Sequence, residues 1–106
     1  MNISLSEMIE RSEDAELFLK QLANTNRLMI LCIMSEGELT VGELNQRVPL
    51  SQSALSQHLA KLRAANFVST RRESQTIYYT LSDPRVEKII RNLYEIFCAD
   101  SANPKV

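Results

Sequence analysis

The run Leu50-Ser51-Gln52-Ser53-Ala54-Leu55-Ser56-Gln57-His58-Leu59-Ala60-Lys61 combines side chains that are unusual for a helix surface. Ser51 is placed to cap a helix over residues 52–64, and Leu55, Leu59 and Leu62 fall at i, i+4 and i+7 to form one narrow apolar stripe. The outward positions are Gln52, Ser53, Ser56, Gln57 and Lys61, with His58 at the margin. Exposed helix faces usually carry long charged side chains. Amides and short hydroxyls suit base edges and phosphates instead: a Gln can pair bidentately with adenine, and a Ser can bond to several bases. The helix start, at Ser51, adds free amides and a positive dipole end for a phosphate. Further on, Arg71 and Arg72 flank a polar tip, Glu73-Ser74-Gln75, of a kind that can enter a minor groove. Capping and solubility account for any one of these residues. The pattern as a whole points to double-stranded DNA.

The flanking sequence supplies elements that would hold this surface in place. Leu5, Met8, Ile9, Ser12, Ala15, Phe18, Leu19 and Leu22 recur mostly at gaps of three or four and predict an amphipathic helix over residues 5–22. Asn24 caps a second helix from Thr25 to about Glu36, closed by Gly37, and its stretch Leu28–Met34 is apolar on all sides, as in a central buried helix. Thr40-Val41-Gly42-Glu43 is a capping box opening a short third helix that stops near Val48, before Pro49. After Asn66 the period changes to two: residues 67–72 and 76–81 are β-branched and aromatic runs that read as a hairpin. Asp83-Pro84 then starts a last helix whose apolar set is Val86, Ile89, Ile90, Leu93, Tyr94, Phe97 and Cys98. The order is α-α-α-α-β-β-α, a mainly α winged helix-turn-helix.

With 106 residues there is room for one domain. Residues 1–98 are assigned to it, with a DNA-reading unit over 40–81, dimerisation helices over 5–22 and 84–98, and a flexible tail over 99–106. A homodimer through the terminal helices would present two recognition helices to a near-palindromic operator. The net charge of −1 is unevenly spread: residues 1–24 carry −3, residues 25–39 carry −1, and residues 40–79 carry +3. The basic middle permits nucleic-acid binding without requiring it. The longest apolar run, Leu28–Met34, is seven residues, far short of the roughly 20 of a membrane span, and the N-terminus has no secretory pattern. A cytoplasmic location is expected. Cys32 and Cys98 lie 66 positions apart with no C-x-x-C spacing, so a structural disulfide framework is not expected.

The chain resembles the ArsR/SmtB family of winged-helix repressors over almost its whole length. The resemblance rests on Leu22-Ala23-Asn24-Thr25-Asn26-Arg27-Leu28, on Thr40-Val41-Gly42-Glu43-Leu44, and most specifically on Leu50–Leu59. It is most similar to the BigR/SqrR/HlyU-like branch, which responds to reactive sulfur or oxidants. That resemblance implies a homodimeric repressor, or an activator that displaces a silencer, with the sensing pair at Cys32 and Cys98. It also implies reactive sulfur species as the effector; peroxide and other thiol oxidants stay open, as does a disulfide or a longer polysulfide bridge. An ArsR-type repressor without thiol sensing is a further alternative.

No metal site and no cofactor are expected. The third helix has no cysteine for a thiolate site, and the last helix keeps Asp83 and Glu95 but has no histidine. Two cysteines alone do not complete a four-ligand zinc site, and His58 reads as a partly buried or DNA-facing residue. The immediate sequence of Cys32 is wholly apolar and offers no base for a nucleophile, so an enzyme is not expected.

Overall fold

Six helices and a three-stranded sheet make up residues 2–98, the part of the chain that the computed structural model describes. Helix α1 (Leu5–Glu10) starts at Ser4, whose hydroxyl accepts the Glu7 N–H. Helix α2 (Ser12–Leu22) follows a break at Arg11, so the single helix expected over 5–22 is divided. Arg11 leaves helical geometry (φ −100°, ψ 4°), and the Ser12 hydroxyl donates to the Met8 carbonyl at 2.8 Å. Such local side-chain bonds compete with the helical ladder. Nothing opposes them here, since α1 buries none of its residues.

Asn24 caps α3 (Thr25–Met34) by accepting the N–H groups of Asn26 and Arg27. The helix ends two residues before the expected Glu36. Gly37 follows at φ +143°, a backbone angle that side-chain-bearing residues rarely adopt. Next comes a strand that periodicity could not reveal, β1 (Leu39–Thr40). Thr40 then caps α4 (Val41–Arg47), with the capping box fully formed: Thr40 Oγ1 accepts the Glu43 N–H at 3.1 Å, and Glu43 Oε1 accepts the Thr40 N–H at 2.8 Å. Helix α5 (Gln52–Ala64) begins at Ser51, whose hydroxyl accepts the Ala54 N–H.

The hairpin consists of β2 (Val68–Glu73) and β3 (Thr76–Leu81), joined through Ser74 and Gln75, with Ser74 at φ +59°. Both β2 and the short β1 pair antiparallel to β3, giving the order β1-β3-β2. Helix α6 (Pro84–Phe97) starts where Asp83 accepts the Arg85 N–H and Pro84 occupies the first turn. Residues 99–106, assigned above to a tail, lie outside the described residues.

The core joins Leu22, Ile30, Leu31, Met34, Leu44, Leu55, Leu59, Leu62, Phe67, Val68, Val86 and Ile90 across α2 to α6 and the hairpin. Two features depart from a closed single-chain core. First, α3 is not buried all round: Cys32 is exposed on the flank that its neighbours in this chain do not cover. Second, Leu5, Met8, Ile9, Leu17, Leu19, Tyr94, Ile96 and Phe97 on α1, α2 and α6 remain exposed. The radius of gyration is 15.8 Å, against about 13 Å for a compact chain of this length. No described helix is long and apolar enough to cross a membrane.

Leu62 is fully buried at the base of α5. Leu62→Ala is expected to cost about 2–5 kcal/mol, read as a lower urea midpoint with an unchanged slope. A loss below about 1 kcal/mol would mean that α5 is not seated on this stripe.

Candidate nucleic-acid interface and thiol cleft

Helix α5 separates its packing residues from its outward ones cleanly. Leu55, Leu59 and Leu62 are at most 1% exposed, while Ser51, Gln52, Ser53, Ser56, Gln57 and Lys61 are all exposed. The Ser51 hydroxyl accepts the Ala54 N–H as the cap and keeps its own O–H to donate. Gln52, Ser53, Ser56 and Gln57 therefore form a bare strip of uncharged polar groups. His58 differs from them. It is half-buried, and its Nδ1 lies inside without a hydrogen-bond partner among the described residues. Burial, followed by the charges of Arg27 and Lys61, lowers its pKa and favours the neutral ring. Arg27 in turn donates from Nη1 to the Gln21 carbonyl at 3.2 Å and to Gln21 Oε1 at 3.4 Å. The α2–α3 junction is held by these bonds, and the Arg27 charge reaches His58 on the inner flank of α5.

The two wing arginines have different surroundings. Arg71 is clamped: Nε and Nη2 donate to the Glu38 carboxylate at 2.8 and 2.9 Å, Glu73 approaches Nη1 at 3.5 Å, and the guanidinium lies 4.5 Å from the Tyr78 ring centre. The bidentate bond holds Glu38 below its ordinary pKa and raises that of Arg71. Strand alternation puts Arg72 on the opposite face, with Ile77 directly across from it and Tyr79 two pairs along, opposite Thr70. Arg72 is exposed and makes no ion pair among the described residues, and Gln75 is exposed at the tip.

A groove of about 540 Å³ separates α5 from the wing and is lined by Ser56, Arg63, Asn66 and Tyr79, among others. Arg63 is exposed and has no ion-pair partner among the described residues. Sequence reasoning passed over it. The available signal was its spacing: seven positions, two helical turns, separate it from Ser56 and put both on one flank.

Cys32 on α3 and Cys98 at the end of α6 are near enough for their charges to interact. Cys98 forms the C-cap of α6, its N–H donating to the Tyr94 carbonyl, and neither cysteine is in a disulfide. Burial raises the pKa of the Cys32 thiol, and the nearby charge of an ionised Cys98 raises it further. Cys32 opens on a cleft of about 300 Å³ shared with Ser35, Glu87, Ile90, Arg91 and Tyr94. The immediate sequence of Cys32 is apolar, but in space α6 adds Glu87 and Arg91, one charge of each sign, to the cleft that Cys32 lines. Among the described residues, no group of three or more His, Cys, Asp or Glu side chains converges as a metal site.

A family model described as bacterial regulatory protein, arsR family, matches residues 24–70. The chain is 50% identical over 96 residues to the transcriptional activator HlyU of Vibrio cholerae, covering 91% of this chain and 89% of that protein. It is 42% identical over 101 residues to the biofilm growth-associated repressor of Agrobacterium fabrum, covering 95% and 86% respectively. The crystal structure of the transcriptional repressor BigR from Xylella fastidiosa superposes with a TM-score of 0.85 at 38% identity, covering 91% of this chain and 98% of that one. The fold is accordingly a winged helix. The chain belongs to the arsR family of bacterial regulatory proteins, in the branch that contains HlyU and BigR.

Proposed function

We propose that this chain is a DNA-binding transcriptional regulator, acting as a homodimeric repressor that releases its operator when Cys32 and Cys98 are modified by reactive sulfur species or oxidants. The observation that carries the DNA reading is the bare strip Gln52, Ser53, Ser56 and Gln57 above the buried leucines of α5. In this reading α5 lies in the major groove, Gln57 and Gln52 address base edges, and Lys61, Arg63 and Arg72 contact phosphates or the adjacent minor groove. His58 lies at the margin of this surface as a neutral ring, and Gln75 extends the tip. Arg71 reaches DNA only with Glu38 attached, so its contribution is muted.

Dimerisation through α1, α2 and α6 would cover Leu5, Met8, Ile9, Leu17, Leu19, Ile96 and Phe97, while Tyr94 stays with the Cys32 cleft. A two-fold axis there would space two copies of α5 by about one DNA turn, roughly 34–36 Å. Thiol sensing is supported by the exposure of Cys32 and by the electrostatic coupling of the two sulfurs. Cys32 and an organic persulfide R–S–SH exchange the outer sulfur, giving Cys32–S–SH and R–SH. Attack by the Cys98 thiol on the Cys32 sulfur then forms a disulfide and expels H₂S. A further round of sulfur transfer before closure leaves a longer bridge. Joining α3 to α6 would reset the spacing of the two reading helices. The pair acts as a switch and not as a catalytic centre. The similarity to a protein named an activator favours a second reading, in which the same binding displaces a silencing protein.

Gln57→Ala is expected to weaken operator binding by about 1–3 kcal/mol while leaving binding to a scrambled duplex within a few-fold; equal losses on both duplexes would remove it from base readout. Glu38→Gln should free Arg71 for phosphates. Titration of binding against salt then shows higher affinity for the scrambled duplex and a slope steeper by about 0.9 per subunit, and an unchanged slope would show that Arg71 does not face DNA. For the thiols, a raised pKa means that alkylation of Cys32 keeps accelerating above the usual thiol midpoint of about 8.5. Cys98→Ser removes the opposing group, so above that midpoint Cys32 should alkylate faster in the variant. A slower or equal rate would break the coupling of the two sulfurs.

A further inference from the structure

The cleft beside Cys32 contains more than a thiol needs. Ile90 and the Tyr94 ring give it an apolar wall, and Ser35 contributes a hydroxyl. Glu87 and Arg91, one turn apart on α6, supply one charge of each sign. Their separation is 3.8 Å, and their side chains are 56% and 68% exposed. That is a loose contact in water, weak enough for both ions to accept better partners. Because the two charges cancel, the cleft gives no advantage to a bare anion such as hydrosulfide. A ligand bearing a carboxylate and an ammonium on the same carbon would satisfy both. The planar guanidinium of Arg91 matches a carboxylate through two parallel hydrogen bonds, and the Glu87 carboxylate accepts from an ammonium. The volume, about 300 Å³, falls at the small end of ligand sites.

We propose that this cleft is a subsite for persulfides built on an α-amino acid, held by Arg91 at the carboxylate and by Glu87 at the ammonium. The inference rests on the thiol-sensing reading and specifies its donor. The Cys32 thiolate attacks the outer sulfur of the bound R–S–SH, and the S–S bond of the donor breaks. The Cys32–S–SH bond forms, and the departing R–S⁻ takes up the proton that Cys32 gave, leaving as R–SH. Sulfur is transferred and no further oxidant is consumed. The subsite also meets a kinetic need: partial burial and Cys98 raise the pKa of the Cys32 thiol, and a bound donor compensates by proximity. The charged and titratable groups that α6 brings to the cleft are Glu87, Arg91 and Tyr94, and Cys98 interacts electrostatically with Cys32.

The test uses the full-length reduced protein and four donors: the persulfides of cysteine, mercaptopropionate, cysteamine and mercaptoethanol. Intact-protein mass spectrometry follows the addition of sulfur to Cys32, and operator binding is measured on the same samples. Cysteine persulfide should react on the order of tenfold faster than mercaptoethanol persulfide. Arg91→Gln should remove the advantage of the two carboxylate donors, and Glu87→Gln that of the two ammonium donors. In both variants the readout is the rate of each donor relative to that of mercaptoethanol persulfide, a ratio that a uniform structural defect would leave unchanged. Equal rates for all four donors, or a uniform slowing in either variant, overturn the subsite while leaving thiol sensing in place. Selective modification that leaves operator affinity unchanged supports the subsite and overturns release.

Discussion

The structure depends first on the burial of Leu55, Leu59 and Leu62 beneath α5. Burying a leucine side chain stabilises by roughly 1.5–3 kcal/mol, so these three anchor the helix without help from its outer face. Ser51 takes over the remaining structural duty by capping the first turn. Gln52, Ser53, Ser56 and Gln57 are left with little influence on folding, and their chemistry is set by what they touch. A short anchored helix also holds those side chains in fixed register, which base readout requires.

Electrostatics add to this without dominating it. The chain is slightly acidic overall, and Arg47 and Arg71 are neutralised by Glu36 and Glu38. Lys61, Arg63 and Arg72 make no ion pair among the described residues, and they border the uncharged strip on α5, the groove and the wing. Generic attraction to phosphate is thereby limited, so a larger share of the affinity falls to contacts that depend on sequence. The Glu38 clamp contributes by fixing the wing against the start of β1 and withholding a cation from indiscriminate binding.

Much of the frame was legible from local signals, because caps and periods are local physics. Thr40 with Glu43, Ser51, and Asp83 with Pro84 each mark the helix start that the structure shows. Signals that come from distant residues were not legible. β1 is two residues long and exists only through pairing with Tyr78 and Tyr79. The Arg71–Glu38 bond joins positions 33 apart. The exposure of Cys32 reflects which faces of α3 the chain leaves uncovered, which an all-apolar run conceals. The break at Arg11 falls where α1 buries none of its residues. For the candidate site, the strip on α5 could be read from spacing, whereas the cleft at Cys32 required α6 to be placed.

Helix α3 links the two candidate sites. Its first turn carries Arg27, whose charge bears on His58 of α5, and its last turns carry Cys32, coupled to Cys98 of α6. Chemistry at the sulfur thus acts on the same ten-residue helix that seats the reading helix. The most direct test of the central claim follows the side-chain amide NMR signals of Gln52 and Gln57 while reduced protein is titrated with a duplex from its own promoter region. Large, saturable shifts of both signals, absent with a scrambled duplex, are expected. Signals that stay fixed while the duplex binds elsewhere would contradict the account.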